Sequence, residues 1–417
     1  MGLSAAVGVR ESSSSSVRRY FEMAADRLGI HPEMRRLLSV PFREMTVEIP
    51  LRRDDERLQL FRGYRVQHNG VRGPVLGPVR IQSGLDLDAL RAAAESMTWR
   101  CAAVNIPFGG AAGAIVCDHM QLSRKELESL VRKYMVRIHH LLGVYQDLCA
   151  PGANADEEVM TWMRDEYCAL EKTAVAAVLG KPEQAGGLRD RAAMTGRSIA
   201  ALAVRAAEDL ELGIQGMRVA ISSLDQSAFH TAQALFDAGC TIVALSEPRG
   251  ALRCSTGIDM QELAVHLRST GSLAGYEGAA EASDIYRLEC DVLIVGASEG
   301  ALDPVAASRV QAKLLLETSE LVVTPAAERA LANRRVRVIP DLVSAAGPIV
   351  ALYAEWSNNV QQAAAEPDRI EREMQTSMLR AYSQVLDRSR RENLGMRMAA
   401  YSVAIERVAR CERLRVQ

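Results

Sequence analysis

The chain has 417 residues, 48% of them hydrophobic and 24% charged, with a formal net charge of −2 and a pI near 6.4. That length exceeds what one core supports at roughly 100–200 residues per domain, so two or three domains are expected. The near-neutral balance excludes a dedicated nucleic-acid binder, and no apolar run approaches the roughly 20 residues that span a bilayer, so small molecules or proteins are the expected partners. The eight cysteines form no C-x-x-C pair and read as reduced core thiols of a cytoplasmic protein, with no disulfide framework or metal site.

The first sixteen residues, with the serine run Ser12 to Ser16, lack the apolar core of a secretory signal and read as a flexible tail. From Val17 to about Leu38 the apolar positions fall at helical spacing, with Pro32 opening a second short helix. Glu44 to Pro50 and Gln59 to His68 alternate apolar and polar and predict two strands joined by the charged turn Arg52 to Arg57. Leu87 to Trp99 is helical behind Asp86, and Ser123 with Glu126 forms a capping box that starts a helix running to Leu142. Between these helices, Pro107 to Ala114 reads as a glycine-rich turn whose glycines let a backbone pass close to something.

Beyond the polar stretch Gly180 to Asp190, short buried strands alternate with helices: Met217–Ser222, Thr241–Leu245, Asp291–Val295, Lys313–Glu317 and Arg337–Ile339. That order predicts a doubly wound, largely parallel α/β domain. The tail from about Asp368 to Leu414 is helical and rich in Arg and Glu, and is expected to pack back onto the first domain.

In such a domain the first strand should run into G-x-G-x-x-G, whose glycines bring backbone amides to a pyrophosphate at a helix N-terminus. Here the strand is followed by Ser222-Ser-Leu-Asp-Gln-Ser-Ala228, without a glycine, and Asp225 puts a carboxylate where a diphosphate would lie. Glu247, at the end of the second strand, stands where a ribose-binding acid is expected, although a solvated carboxylate is the commoner case. His139-His140 carry no further metal ligands at suitable spacing, and Asp156-Glu-Glu158 read as the acidic first turn of a helix.

Across most of its length, from about Tyr20 to the last helix, the sequence resembles the glutamate dehydrogenase family, which includes leucine, phenylalanine and valine dehydrogenases. The likeness is carried by Gly63-Tyr-Arg-Val-Gln-His68, Met97-Thr-Trp99, Asn105-Ile-Pro-Phe-Gly-Gly110, Trp162-Met-Arg-Asp-Glu-Tyr167, Gly180-Lys-Pro182, Pro340-Asp341 and Glu355-Trp356, in order and at matching spacing. It implies an N-terminal α/β substrate and oligomerisation domain plus a doubly wound Rossmann-like domain. The corresponding spans are a tail at 1–16, a first domain at 17–184 completed by helices at about 365–417, and a second domain at 185–364.

The resemblance also implies oxidative deamination of an amino acid with NAD(P), a lysine of depressed pKa activating water and a carboxylate shuttling protons. This chain departs from that pattern at each such position. Ala112 stands for the catalytic lysine and Gly152 for the proton-transferring aspartate; Leu76 replaces the lysine of K-G-G-x-R, of which Arg80 remains, and Pro78 its second glycine. Arg100 replaces the lysine that holds the α-carboxylate, and Leu352 falls where glutamate-specific members carry serine. Register cannot rescue the lysines, because Lys125 is the first in the chain.

Leu76, Arg80, Met97, Arg100 and Leu352 thus mark a substrate or effector cleft. A degenerate cofactor site is marked by Thr195, Ser223, Asp225, Ala228 and Glu247, with G-x-G-N-V-G replaced at Ser223 to Ala228, P-A-A-x-x-N by Val295 to Gly300, and N-A-G-G by Ala345 to Pro348. Neither alanine nor glycine transfers a proton, and removing groups that act together forfeits many orders of magnitude in rate. The sequence therefore reads as a non-catalytic homologue, expected to bind no cofactor and to co-assemble in a hexamer with a catalytic glutamate dehydrogenase subunit, tuned by an amino acid such as leucine. Two alternatives stand beside it: an active NAD(P)-dependent dehydrogenase with an atypical site, supported by Arg65, Arg80 and Arg100, and a stand-alone amino-acid sensor.

Overall fold

Alternation in the N-terminal segments produces a long hairpin: β1 (Arg43–Arg52) pairs antiparallel with β2 (Leu58–Asn69), Val47 lying opposite Gly63. The computed structural model describes residues 13–172, 175–247, 250–280, 285–296, 300–363 and 366–416. Three further strands complete the first sheet, β3 (Val75–Ile81), β4 (Gly109–Val116) and β5 (Asp147–Pro151), in the order β1-β2-β4-β3-β5 with the β4-β3-β5 part parallel.

The glycine-rich segment expected as a turn is therefore strand β4. Its glycines serve close approach: a Cβ on Gly110 would stand 2.2 Å from the carbonyl of Ala94 in the overlying helix Leu87–Ala103, and one on Gly109 would stand 1.7 Å from that of Asn69. Low intrinsic strand preference hid this strand, which the lid of packed backbone stabilises instead. The opposite face of the sheet is covered by the helices Arg124–Ile138 and Glu157–Glu171, whose Leu130, Tyr134, Met160 and Met163 pack on Val79, Ile81 and Ile115. The Arg124–Ile138 helix stops short of Leu142, the intervening His139–Leu141 forming a single 3₁₀ turn.

The second sheet contains β6 (Arg218–Ile221), β7 (Thr241–Glu247), β8 (Gly250–Arg253), β9 (Ala279–Ala280), β10 (Val292–Val295), β11 (Leu314–Glu317) and β12 (Arg337–Ile339), ordered β12-β11-β10-β6-β7-β8-β9. The five strands from β12 to β7 are parallel, and β8 and β9 add an antiparallel edge. Successive strand residues serve opposite cores. Val219, Ile294 and Leu314 pack with Ile199, Leu202 and Ala203 of the helix Arg191–Glu208, while Ala220, Leu293 and Leu315 pack with Ala327 and Leu331 on the other side. Burial on both faces explains why these strands read as continuous apolar runs.

The first helix, Ser13–Arg27, begins ahead of the expected Val17 and takes in residues 13–16 of the segment expected as a tail; residues 1–12 lie outside those described. The C-terminal segment forms two helices, Pro367–Glu392 and Met396–Val416, broken where Asn393 takes a left-handed conformation (φ 50). This hairpin straddles both domains. Arg197 of the Arg191–Glu208 helix grips Glu371 at 2.6 Å, and Arg407 donates to the carbonyls of Ala102 (2.6 Å) and Ala103 (2.8 Å) at the end of the Leu87–Ala103 helix.

Arg397, fully buried in the last helix, ties the ends of the chain together. Its guanidinium contacts Glu317 on β11, Asp341 (2.8 Å) and Glu328 (2.9 Å), and lies over the ring of Tyr20. Removing one partner of a buried ionic cluster leaves uncompensated charge, at a cost of roughly 3–5 kcal/mol. Arg397→Met is accordingly expected to lose that amount in chemical denaturation; an unchanged midpoint would show that the carboxylates find other partners.

Glu95 provides a pH-dependent element. It is buried beneath the Ser13–Arg27 helix, where it accepts from the Trp99 indole N–H (3.1 Å), and burial pushes its pKa from 4.5 up to about 7 despite that hydrogen bond. A carboxyl with a raised folded pKa contributes stability that is present below its unfolded value and lost as pH rises through about 7. Glu95→Gln keeps an acceptor for Trp99 without the charge. The variant should match the parent near pH 4 and exceed it by on the order of 3 kcal/mol at pH 8, the gap opening between those values; a pH-independent gap in urea titrations would contradict this.

Candidate functional site

β3 presents Leu76, Pro78 and Arg80 on the face covered by the Leu87–Ala103 helix, because Val79 and Ile81 alternate to the other core. The pairing of Leu76 with Gly110 and Val79 with Gly113 puts Pro78 beside Ala112, and Pro78 also pairs with Ala150 two residues before Gly152. The second domain closes this face with the helix Gly347–Gln361. At the base of the resulting cleft Leu76, Met97, Ala346, Ile349 and Leu352 bury one another, Leu76 being 0% exposed and Leu352 7%. The structure thus brings the sequence-selected apolar residues together, as packed walls.

Two arginines bridge the domains. Arg80 pairs with Glu320 beyond β11 at 3.1 Å, and Arg100 donates to the carbonyl of Ala345 at 3.3 Å while its buried Nε has no hydrogen-bond partner among the described residues. Glu320 had no signal in the sequence, since a lone acid in a loop is ordinarily solvated. Arg65 does not belong to the cleft: it is wholly buried, bound to Asp147 and to the carbonyls of Gly77 (3.2 Å) and Leu148 (3.1 Å).

Ala112 sits in a small apolar cluster with Val66, Leu90, Ala93 and Ala94. At Gly152 the constraint is on the backbone itself. A Cβ there would lie 2.4 Å from the Val79 carbonyl oxygen and 2.9 Å from its carbon, closer than atoms tolerate, so no side chain fits without moving β3 or β5.

In the second domain the strand order reverses at β6, between β7 and β10, and ligands of such sheets bind where the carboxyl ends of the strands part. At that crevice the loop after β6 carries Ser223 and Asp225. Asp225 caps the helix Gln226–Asp237, its carboxylate accepting from the Ala228 amide at 2.8 Å, so an anionic group already fills the helix N-terminus. Ser223 lies against Gly296, where an added Cβ would meet its hydroxyl at 2.5 Å. Thr195 is buried and donates to the Arg191 carbonyl (2.9 Å) one turn back in its own helix, and Glu247 accepts from the Leu273 amide (3.2 Å). Of the Val295 to Gly300 segment, residues 297–299 lie outside those described.

No group of three or more metal-ligating side chains occurs among the described residues. His139 instead bonds Glu171 (2.6 Å) and packs edge-on against His140, and Asp156 caps its helix through the Val159 amide (3.0 Å). None of the described helices is long and apolar enough to cross a membrane.

Known proteins share this architecture throughout. The pattern of the Glu/Leu/Phe/Val dehydrogenase dimerisation domain matches residues 41–169, and that of Glutamate/Leucine/Phenylalanine/Valine dehydrogenase matches residues 186–415. A glutamate dehydrogenase of Thermotoga maritima is 33% identical over 393 residues, 93% of this chain and 94% of that protein. Among solved structures, the hetero-hexameric glutamate dehydrogenase from Thermus thermophilus in its Leu-bound form is 34% identical, with a TM-score of 0.90 and 97% of both chains covered. The glutamate dehydrogenase of Peptoniphilus asaccharolyticus is 25% identical, with a TM-score of 0.86, covering 97% of this chain and 99% of that one. With both domains matched in order, on the two sheets and the cleft just described, the chain belongs to the glutamate/leucine/phenylalanine/valine dehydrogenase family.

Proposed function

We propose that this chain is a non-catalytic, regulatory subunit that co-assembles in a hexamer with an active glutamate dehydrogenase and takes an amino-acid effector such as leucine in its inter-domain cleft. The observation that carries the reading is the pair Ala112 and Gly152, the latter with no space for a Cβ. Without a base or a proton shuttle at these positions the cleft can hold a substrate-like molecule but not deaminate it. On this reading the first domain with the C-terminal helices serves assembly and effector binding, and the second domain keeps the Rossmann-like frame.

The cofactor turn supports the same conclusion. A dinucleotide would bring its diphosphate to the N-terminus of the Gln226–Asp237 helix, where the Asp225 carboxylate caps the chain and repels it, and no glycine admits close approach. These residues do not fit NAD(P). For the effector, Arg100, whose buried Nε has no partner among the described residues, offers a donor to a carboxylate, and Met97 and Leu352, packed with the fully buried Leu76, make the base of the cleft apolar where polar groups are expected for glutamate. The Thermus relative, which is hetero-hexameric and was solved with Leu bound, makes both the assembly and the effector reasonable for this chain.

Affinity capture of the native protein from its own cell should bring down an active glutamate dehydrogenase; a preparation with no dehydrogenase activity at any step would sink the proposal. Calorimetric titration of the isolated chain with NAD(H) and NADP(H) should give no saturable binding up to about 1 mM, and micromolar binding or glutamate-dependent reduction would restore the dehydrogenase reading. The double substitution Ala112→Lys with Gly152→Asp restores the missing groups in name only. It is expected to yield no turnover and to lower the thermal midpoint, because any side chain added at Gly152 must displace the Val79 backbone; recovered activity would show that the strands yield.

A further inference from the structure

The hairpin of the last two helices carries a second concentration of charge, on residues that take no part in the inter-domain cleft. A groove of about 790 Å³ between Pro367–Glu392 and Met396–Val416 is lined by Arg388, Arg390, Arg391, Arg407 and Arg410, against the two carboxylates of Asp387 and Glu406. Five arginines against two carboxylates leave the lining with a net positive charge. Glu406 is engaged by Arg388 at 2.8 Å and stands 3.9 Å from Arg410, which remains 75% exposed; Asp387 makes no ion pair among the described residues. Arg390 and Arg391 are exposed and likewise have no carboxylate within 4.0 Å among the described residues.

Arg407 separates this groove from an ordinary solvated face. It is half-buried and donates to neutral acceptors, the carbonyls of Ala102 and Ala103 and the Gln384 side chain. Behind it Arg72, also half-buried, donates to Asn105 (3.0 Å) and leaves its buried Nη1 unsatisfied. Burial and the adjacent Arg72 hold Arg407 below the ordinary guanidinium value. The fold thus holds the Arg407 guanidinium partly out of water on neutral acceptors, with Arg72 behind it and Glu406 as the opposing charge, and sets three more guanidiniums that face solvent around it.

We infer that this groove binds a polyvalent phosphate anion, either a free polyphosphate or the phosphate chain of a nucleoside polyphosphate, gripped by Arg390, Arg391, Arg407 and Arg410. Guanidinium forks pair bidentately with phosphate oxygens, and arginines on opposite helices reach successive phosphates of one chain. An amino acid fits less well, since its single carboxylate answers one arginine and its ammonium is repelled by the rest. The volume exceeds that of one inorganic phosphate and lies in the range of small-molecule sites, roughly 300–1,000 Å³. Filling the groove would also clamp the helix hairpin to the end of the Leu87–Ala103 helix, through Arg407. The inference does not depend on the regulatory reading.

The test titrates the full-length chain with inorganic tripolyphosphate, ATP and inorganic phosphate at constant ionic strength, alongside Arg390→Gln/Arg391→Gln and a charge-matched control, Arg253→Gln/Arg268→Gln. The groove substitutions break none of the ion pairs described above, so folding, checked by thermal melt, should persist. Saturable binding of tripolyphosphate at one site per chain is expected, weakened about tenfold or more in the groove variant and less than about twofold in the control. ATP binding more tightly than tripolyphosphate would identify a nucleoside polyphosphate as the ligand class, and the reverse order a bare polyphosphate. Equal weakening in both variants, binding no tighter than that of inorganic phosphate, or preference for hexaglutamate over tripolyphosphate would overturn the assignment.

Discussion

One guanidinium, that of Arg397, holds the first and last helices to β11 of the second sheet. It comes from the last helix, neutralises Glu317 at the carboxyl end of β11, reaches Asp341 and Glu328, and lies over Tyr20 of the first helix. Each of these groups would be expensive to bury alone. Glu317 in turn accepts from the amides of Val323 (2.7 Å) and Asp341 (3.3 Å), so the loops beyond β11 and β12 are positioned by the same cluster. Glu320, the partner of Arg80 across the cleft, belongs to one of those loops. The closure of the two domains is therefore set partly from the far end of the chain.

What persists of the family pattern in this sequence is mostly of this structural kind. Gly180-Lys-Pro182 and Glu355-Trp356 meet in space: Lys181 and Glu355 form a fully buried pair at 2.8 Å, and the Glu355 carboxylate also accepts from the Gly180 amide. Trp356 donates to the Val144 carbonyl (2.8 Å) and packs on Phe108. Arg65 of Gly63 to His68 is spent on Asp147. Asn105 takes the left-handed conformation (φ 59) that ends the Leu87–Ala103 helix. These residues hold the two-domain frame whether or not any reaction occurs in it, while Ala112 packs in an apolar cluster, Gly152 lies against the Val79 backbone and Asp225 caps a helix.

Most of the fold was legible because its strands and helices carry strong local signals. The runs Val292–Val295 and Leu314–Glu317, buried on both faces, could hardly be anything but parallel strands, and Ser123 with Glu126 does form its capping box. Strands β3, β4 and β5 were not legible. Gly77, Pro78, Gly109, Gly110 and Gly113 deprive β3 and β4 of strand preference, and their pairing rests on backbones approaching too closely for side chains. The break near Asn393 was hidden for the opposite reason, since helical composition continues on either side of it.

By itself the sequence determined the two-domain plan and the residue types available to the cleft, since side-chain chemistry is written in the chain before it folds. Tertiary structure alone decided what those residues touch. It joins Leu76, Met97 and Leu352 into one packed wall, turns Arg80 toward Glu320 and removes Arg65 from the cleft. It also brings Val79 so near Gly152 that a side chain is excluded, and gathers the arginines of two helices into one groove. Such facts depend on distances between residues remote in the chain, and those are fixed only when the layers pack.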